Sequence, residues 1–395
     1  MSDDSPAKSE TSMFSTAFGE PIGGVLDVSS WRPGGELSSF YEATRAEVEQ
    51  AVAQERRTRE PIRRLMVSKL AEGKPPFTPP GAGLYRVEER QLLNVQKGLL
   101  FNGGTESCDG TRDAHDSLVL SVIQIGVALV AYQGSHGTWV QRLYRRDLRA
   151  GHSDPFAEAE EILRRRGEER DPDTGETPSR LIRRALMEYA ERAALTDLSK
   201  ALWRMGHGNP VPTSMLMATS PELVEASMNV LGRLLLNHKR FVFVPSEPAD
   251  SLLLSLGNAL DAREFAIVGT LAEQFSDARL YRVAETQRGH PMASRLIQEF
   301  LKQARFEIVT GVYRSGEHCP PRIFYAHKDF ACEAAVLVMA DSLLQPYRGF
   351  PMLIDLADIV CRHVFDGAGM HTAIRHAYAS CGEPVRFLGE RETRE

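Results

Sequence analysis

Apolar positions are sparse along the first 35 residues, where Ser, Asp, Gly and Pro dominate, and this stretch reads as a mobile leader. From 36 to 70 the pattern changes. Leu37, Tyr41, Val48 and Val52 fall on a rough helical stripe among many Glu and Arg, which predicts a helix that Pro61 should break or kink. The segment 73–81, with Pro75, Pro76, Pro79 and Pro80 between glycines, cannot continue a helix and reads as a linker. The expected organisation is a leader over 1–35, a helical arm and Pro-rich linker over 36–83, and one large domain over 84–395.

Within that domain a short apolar run, Leu99-Leu100-Phe101, leads into the turn-rich Asn102-Gly103-Gly104. The stretch 118–132 is dense in Val, Ile and Leu, and its length and β-branching predict a long central strand. A hairpin turn over 133–137 should then open a second strand over 138–144. Thr177-Pro178 supplies an N-cap followed by proline at the first helical position. The helix it starts is expected to reach about Trp203, with Ile182, Ala185, Leu186, Tyr189 and Ala193 inward. Further strands are predicted over 214–218, 240–244, 265–268, 306–312 and 322–326, with helices between several of them. Strands first as a meander and then alternating with helices predict a mixed α/β sheet.

Composition narrows the functional classes. The 395 residues carry a formal charge of −6, which excludes a binder that coats nucleic acid by bulk charge but leaves a local basic groove open. Five cysteines are scattered and never spaced as C-x-x-C, which argues against a disulfide framework or a structural zinc site and for a reducing compartment. The start has neither a basic patch nor an apolar h-region, and the run 118–132 is interrupted by Ser121, Gln124 and Gly126. It is also shorter than the roughly 20 residues of a membrane helix, so a cytoplasmic protein with no membrane contact is expected.

Most enzyme signatures are absent. No G-x-x-x-x-G-K-[ST] occurs, so the chain is not itself an ATP-driven motor, and G-x-G-x-x-G, H-E-x-x-H and G-x-S-x-G are also missing. The eleven histidines show no close metal spacing. Carboxylates remain, and hard ions such as Mg2+ and Mn2+ take carboxylate oxygens. Asp109, in Asp109-Gly110-Thr111, would project into a cleft if Gly110 turns the chain at a strand end, or it belongs to a plain turn with Asp113 and Asp116 crowding the same loop. Glu188 and Glu191, three apart, share a helix face, either as ligands or as a solvated face partnered by Arg183, Arg184 and Arg192. Asp358 follows Gly349-Phe350-Pro351 and lies among Leu353, Ile354, Leu356, Ala357 and Ile359, where a carboxylate is costly to bury without a partner.

Taken in order, these segments resemble the NurA family of nucleases, from about Gly98 to the end of the chain. Asp109-Gly110-Thr111 resembles the Asp-Gly-[Ser/Thr/Gly] that opens the family's domain after its first strand. The run from Ala185 to Ala193 is similar to the helix that carries its metal-binding Glu. Gly349-Phe350-Pro351 through Ala357-Asp358 resembles its Gly-Tyr-Pro motif followed by Ala-His or Ala-Asp, and 322–326 the strand before it. Phe350 stands where Tyr is common and Asp358 where His is frequent. The family's further strand-end carboxylate has its nearest match at 215–220, with Ala218 in the acidic place, and a register with Asn102 in the first acidic position is also open.

The resemblance implies an RNase H-like mixed sheet flanked by helices, with the helical arm ahead of it. It also implies a deoxyribonuclease that uses Mn2+ or Mg2+ held by Asp109, Glu191 (or Glu188) and Asp358. The work would be done at DNA ends beside a HerA-type hexameric ATPase, in repair or phage defence, by a homodimer. The alternative is a catalytically silent DNA-binding or scaffold subunit of such a complex. For holding DNA, Arg142, Arg145, Arg146 and Arg149 near the hairpin and Arg282 and Arg288 beside Tyr281 are the candidate phosphate contacts, because a guanidinium matches phosphate geometry.

Overall fold

A computed structural model describes residues 14–31, 37–73, 79, 81–117, 120–145, 154–165, 178–217, 220–247, 251–276 and 290–386. The chain divides into two compact units, Met1–Glu60 and Pro61–Glu395. Helix α1 (Leu37–Glu72) contains Pro61 without interruption, so the expected break is absent. Proline costs an interior helix about 3 kcal/mol. Here strong helix formers on both sides and two anchors just beyond it offset that: Met66 is buried, and Arg63 forks onto Glu264 at 2.5 and 2.8 Å.

A nine-stranded sheet forms the frame of the second unit. Its strands are β1 (Gly83–Arg86), β2 (Thr105–Asp116), β3 (Ser121–Ala131), β4 (Gly134–Arg145), β5 (Trp203–His207), β6 (Phe241–Val244), β7 (Glu264–Thr270), β8 (Ile308–Arg314) and β9 (Arg322–His327). They lie in the order β1-β7-β8-β9-β6-β5-β2-β3-β4. β2, β3 and β4 form an antiparallel meander, and β5 and β6 run parallel beside β2. A meander followed by two strands parallel to its first is the RNase H-like arrangement, and β9, β8, β7 and β1 extend it by antiparallel pairing.

Both faces are covered, which is why the central strands are apolar at nearly every position. In β6, Phe241 and Phe243 enter one core and Val242 and Val244 the other, as the twofold period of a strand requires. The first core lies under helices α3 (Pro178–Ala193), α4 (Pro221–Leu231) and α5 (Pro291–Glu307). The second lies under α2 (Glu89–Val95), α6 (Ala331–Ser342) and α7 (Met352–Val364), and α8 (Gly367–Ser380) follows.

Several expectations are corrected. α3 stops at Ala193 and widens into a final turn over Ala194–Leu198, and Trp203 opens β5, a strand the hydrophobic pattern did not reveal. The segment expected as a strand over 214–218 holds a short helix, Thr213–Leu216, since a short, wholly buried run has no period that separates the two. The hairpin bends at Tyr132 and Gln133, and Gly134, at φ 126°, already belongs to β4. Leu99 and Leu100 end a helical turn that Asn102 closes by donating to the Gly98 carbonyl at 2.6 Å, so Asn102 is not in an acidic strand position.

Candidate active site

The parallel pairing of β2 with β5 ends at Cys108 and Gly206. Beyond that point His207 and Gly208, the latter at φ 83°, lead the chain away, while β2 runs on as Asp109-Gly110-Thr111. The Asp-Gly pair is therefore mid-strand and not a turn. Side chains alternate across the sheet here. Cys108 packs into the core under α3, and Asp109 lies opposite Ala128, which packs against Cys361 and Phe365 at the α7 end. Gly110 faces α3, where a Cβ would stand 2.7 Å from Glu191 Oε1 and 3.1 Å from Met187 Cγ. Its missing side chain is thus what lets α3 carry Glu191 down onto β2. Where β5 ends, Asp109 from one face of the sheet and Glu191 from the other act on each other electrostatically.

Charge shows the convergence. Asp109 is buried, its Oδ1 accepts from the Gly110 N–H at 2.9 Å, and His207 Nδ1 stands 3.5 Å away. Burial pushes Glu191 up to about 7; the adjacent Arg192 guanidinium opposes this, and Asp109 and Glu188 add to it. Arg192, itself fully buried, pairs with Glu191 and donates to the carbonyls of His207 at 3.3 Å and Asn209 at 2.7 Å. Asp358 on α7 is raised by burial and by Asp109, although Arg362 Nε donates to it at 2.7 Å. Glu188 receives Arg184 Nε at 3.1 Å on one oxygen, while its other oxygen is buried with no hydrogen-bond partner among the described residues. For His207, burial favours the neutral ring, but Asp109 and Glu191 outweigh it and raise its pKa.

A cleft of about 700 Å3 opens beside these groups, lined among others by Arg112, Glu188, Glu191, His207, Asn209 and Tyr325. Phe350 is buried with its ring edge-on to His207 at 6.1 Å, and the Arg322 and Arg348 guanidinium groups sit over its ring. The Gly349-Phe350-Pro351 segment thus both starts α7 and walls the imidazole.

Asp109 acts electrostatically on both Glu191 and Asp358, and Glu188 acts on Glu191. Asp113 and Asp116 belong to β2 and not to a loop, and they turn elsewhere, with His371 3.7 Å from Asp113 and Arg183 3.3 Å from Asp116. Arg142 is exposed on β4 and donates to Gln124 at 2.8 Å. The Arg145 side chain lies outside the described residues, as do Arg146, Arg149, Arg282, Arg288 and Ala218. Sequence reasoning missed His207, and it offered Arg192 as a partner on a solvated face where the structure buries it against Glu191. The signal for His207 was Met205-Gly206-His207-Gly208, a polar residue between two glycines at the end of a short apolar strand.

The donor set fits a hard divalent ion in its chemistry: Asp109 and Glu188 both disfavour the charged form of buried Glu191, and one buried Glu188 oxygen has no hydrogen-bond partner among the described residues. Among the described residues no three His, Cys, Asp or Glu side chains are already gathered closely enough to hold one. Arg192 and Arg362 occupy two of the acids, so binding requires those contacts to yield.

Among the described residues no helix is long and apolar enough to cross a membrane. No family model matches the sequence, and no curated protein matches it. Solved structures similar to it in fold include the NurA nuclease from Sulfolobus solfataricus, at 8% identity and a TM-score of 0.43, covering 74% of this chain and 92% of that one. A second NurA structure is 8% identical with a TM-score of 0.42, covering 86% of this chain and 96% of that one. Ciona intestinalis endonuclease V, bound to a 24mer DNA containing an inosine followed by a ribo-adenosine, is 11% identical with a TM-score of 0.28, covering 70% of this chain and 94% of that one.

Proposed function

We propose that this chain is a metal-dependent deoxyribonuclease that hydrolyses phosphodiester bonds at the opening beside β2. The observation that supports this reading is that Asp109 acts on both Glu191 and Asp358, each on a helix against a different face of the sheet. Burial and the nearby Asp109 charge penalise the charged forms of Glu191 and Asp358, a cost that structural stability does not require. A cation offsets that cost and gives the cluster a use.

Asp109, Glu191 and Asp358 would hold the ion, with Glu188 Oε2 as a further donor. A divalent ion bound there supplies Lewis acidity toward a phosphoryl oxygen and a lowered pKa for a water. The other contributions come from the chain. Gly110 sets the distance between α3 and β2, and Arg192 fixes Glu191 by tying it to the carbonyls that follow β5. Arg112 and Arg184 line the cleft and can receive phosphate oxygens on either side of the scissile bond. Phe350 limits the motion of the His207 ring. No nucleophilic side chain is needed.

The test is incubation of the full chain, alone and with a hexameric ATPase, with linear duplex and single-stranded DNA in Mn2+ or Mg2+. Asp109→Asn, Glu191→Gln and Asp358→Asn should each slow cleavage on the order of 10²-fold or more with melting temperature retained. Cleavage that persists in EDTA, or in all three variants, overturns the reading. A second reading, a silent DNA-binding subunit, is favoured by the pairing of Arg192 with Glu191 and of Arg362 with Asp358. It predicts intact DNA binding with no cleavage under every metal condition.

A further inference from the structure

We infer that the cleft between α8 and the outer strands β3 and β4 is a binding site for a small aromatic molecule carrying one negative charge. It shares no lining residue with the opening beside β5 and does not depend on the hydrolytic reading.

The way α8 is fastened leaves this space. His371 Nε2 stands 3.7 Å from Asp113 Oδ2, and Tyr378 OH bonds to Ser117 Oγ at 2.6 Å, so the helix is tied toward β2. Its cleft face carries Gly369, Ala373 and Ala377, four residues apart and therefore in one row, and side chains this small do not reach the outer strands. A Cβ at Gly369 would meet nothing within 4 Å. The cleft that results measures about 530 Å3, inside the range of about 300 to 1,000 Å3 typical of small-molecule sites. Val122, Met370 and Ile374 make the lining largely apolar, and Phe365 and Tyr144 add aromatic rings to it.

A buried polar group holds a cation at this apolar surface. Gln124 on β3 is 2% exposed and lies opposite Arg142 on β4, in the ladder that also sets Val122 opposite Tyr144. An arginine Nε can only donate, so the Gln124 atom 2.8 Å from it is the oxygen, and this bond restrains the guanidinium. The terminal nitrogens are left to donate to an anion, and among the described residues no carboxylate pairs with them. A group oriented before binding loses less freedom when the ligand arrives. Asp366 also lines the cleft, where its Oδ1 accepts the Ala368 N–H at 3.0 Å as the cap of α8. Its charge disfavours a dianion, so a carboxylate or sulfonate on an aromatic body fits better than a phosphate monoester.

Anilinonaphthalene sulfonate, whose fluorescence rises on leaving water, is a suitable probe, and the uncharged phenylnaphthylamine measures what the charge adds. Titrated into the full chain, the sulfonate should saturate at about one equivalent and bind about tenfold or more tighter than the neutral compound. Arg142→Gln should close that gap by weakening the sulfonate alone. Ala373→Phe, which fills the cleft from an exposed position, should abolish binding of both with melting temperature retained. Equal affinities for the two probes in the wild type overturn the inference, as does a saturable phase that persists in Ala373→Phe, or no saturable phase at all. Displacement of the sulfonate by an equimolar single-stranded oligonucleotide in EDTA would assign the cleft to nucleic acid and overturn it too. The wild-type comparison decides the need for charge even where a variant folds poorly.

Discussion

A single buried acid away from the cluster shows how the site is supported. Asp341, at the end of α6, accepts the Leu353 N–H at 2.9 Å with one oxygen and Tyr132 OH with the other. It thereby caps the start of α7 and sets where Asp358 falls one and a half turns later. Burial pushes its pKa up to about 6, against the pull of those two hydrogen bonds. A carboxyl whose folded pKa is raised contributes stability that is fully present below its unfolded value of 3.8 and lost as pH rises through about 6. The expected size is on the order of 2 to 3 kcal/mol. Asp341→Asn removes the titration but keeps an acceptor. Thermal melts at pH 4.5 and 7.5 should therefore show the wild type losing stability relative to Asp341→Asn as pH rises. Parallel pH profiles would contradict this. Asp341→Ala strands both donors and should cost about 1 to 3 kcal/mol across the range.

At the scale of elements, the legible parts were those whose physics is local. The β-branched run of β3 and the apolar runs of β6 to β9 follow from burial on both faces. The start of α3 follows from Pro178 at its first turn. β5 was hidden because Arg204, Gly206 and His207 interrupt a five-residue strand, and its pairing partner β2 is about a hundred residues earlier. The acids were visible one at a time, but their meeting depends on that unseen strand ending where it does. Two glycines show the same limit. Gly110 looked like a turn residue and is a contact point for α3. Gly126 on β3 lies so close under Phe365 that a Cβ would stand 2.2 Å from the ring. Gly126→Ala should therefore push the end of α7 off the sheet and cost about 1 to 3 kcal/mol, lowering the melting temperature by several degrees. Gly98→Ala, where a Cβ meets nothing within 4 Å, is the control and should be neutral or slightly stabilising. Equal melting temperatures for the two variants would mean that Gly126 does not set the position of α7.

For the whole molecule, the formal charge of −6 has a different meaning once part of it is located. Glu188 and Glu191 line one opening with Arg112, Arg184 and Arg192, and Asp109 behind it acts on both Glu191 and Asp358. A DNA phosphate approaching this opening meets repulsion from the acids and attraction from Arg112 and Arg184 on the rim. With a divalent cation bound, the sign at the centre reverses and the rim arginines act with it. DNA affinity should then depend on the cation separately from cleavage. In EDTA, the double variant Asp109→Asn with Glu191→Gln should bind a fluorescently labelled oligonucleotide more tightly than the wild type, since two repelling charges are gone. On adding Mn2+ the wild type should gain affinity and the variant much less. Fluorescence anisotropy at two salt concentrations separates this local effect from general attraction. A surface that holds DNA through few phosphates gives a shallow dependence on salt, with a slope of about −2 to −3 in log affinity against log salt. If the variant and the wild type bind equally in EDTA and respond equally to Mn2+, the acids do not face the DNA, and its path lies over another part of the sheet.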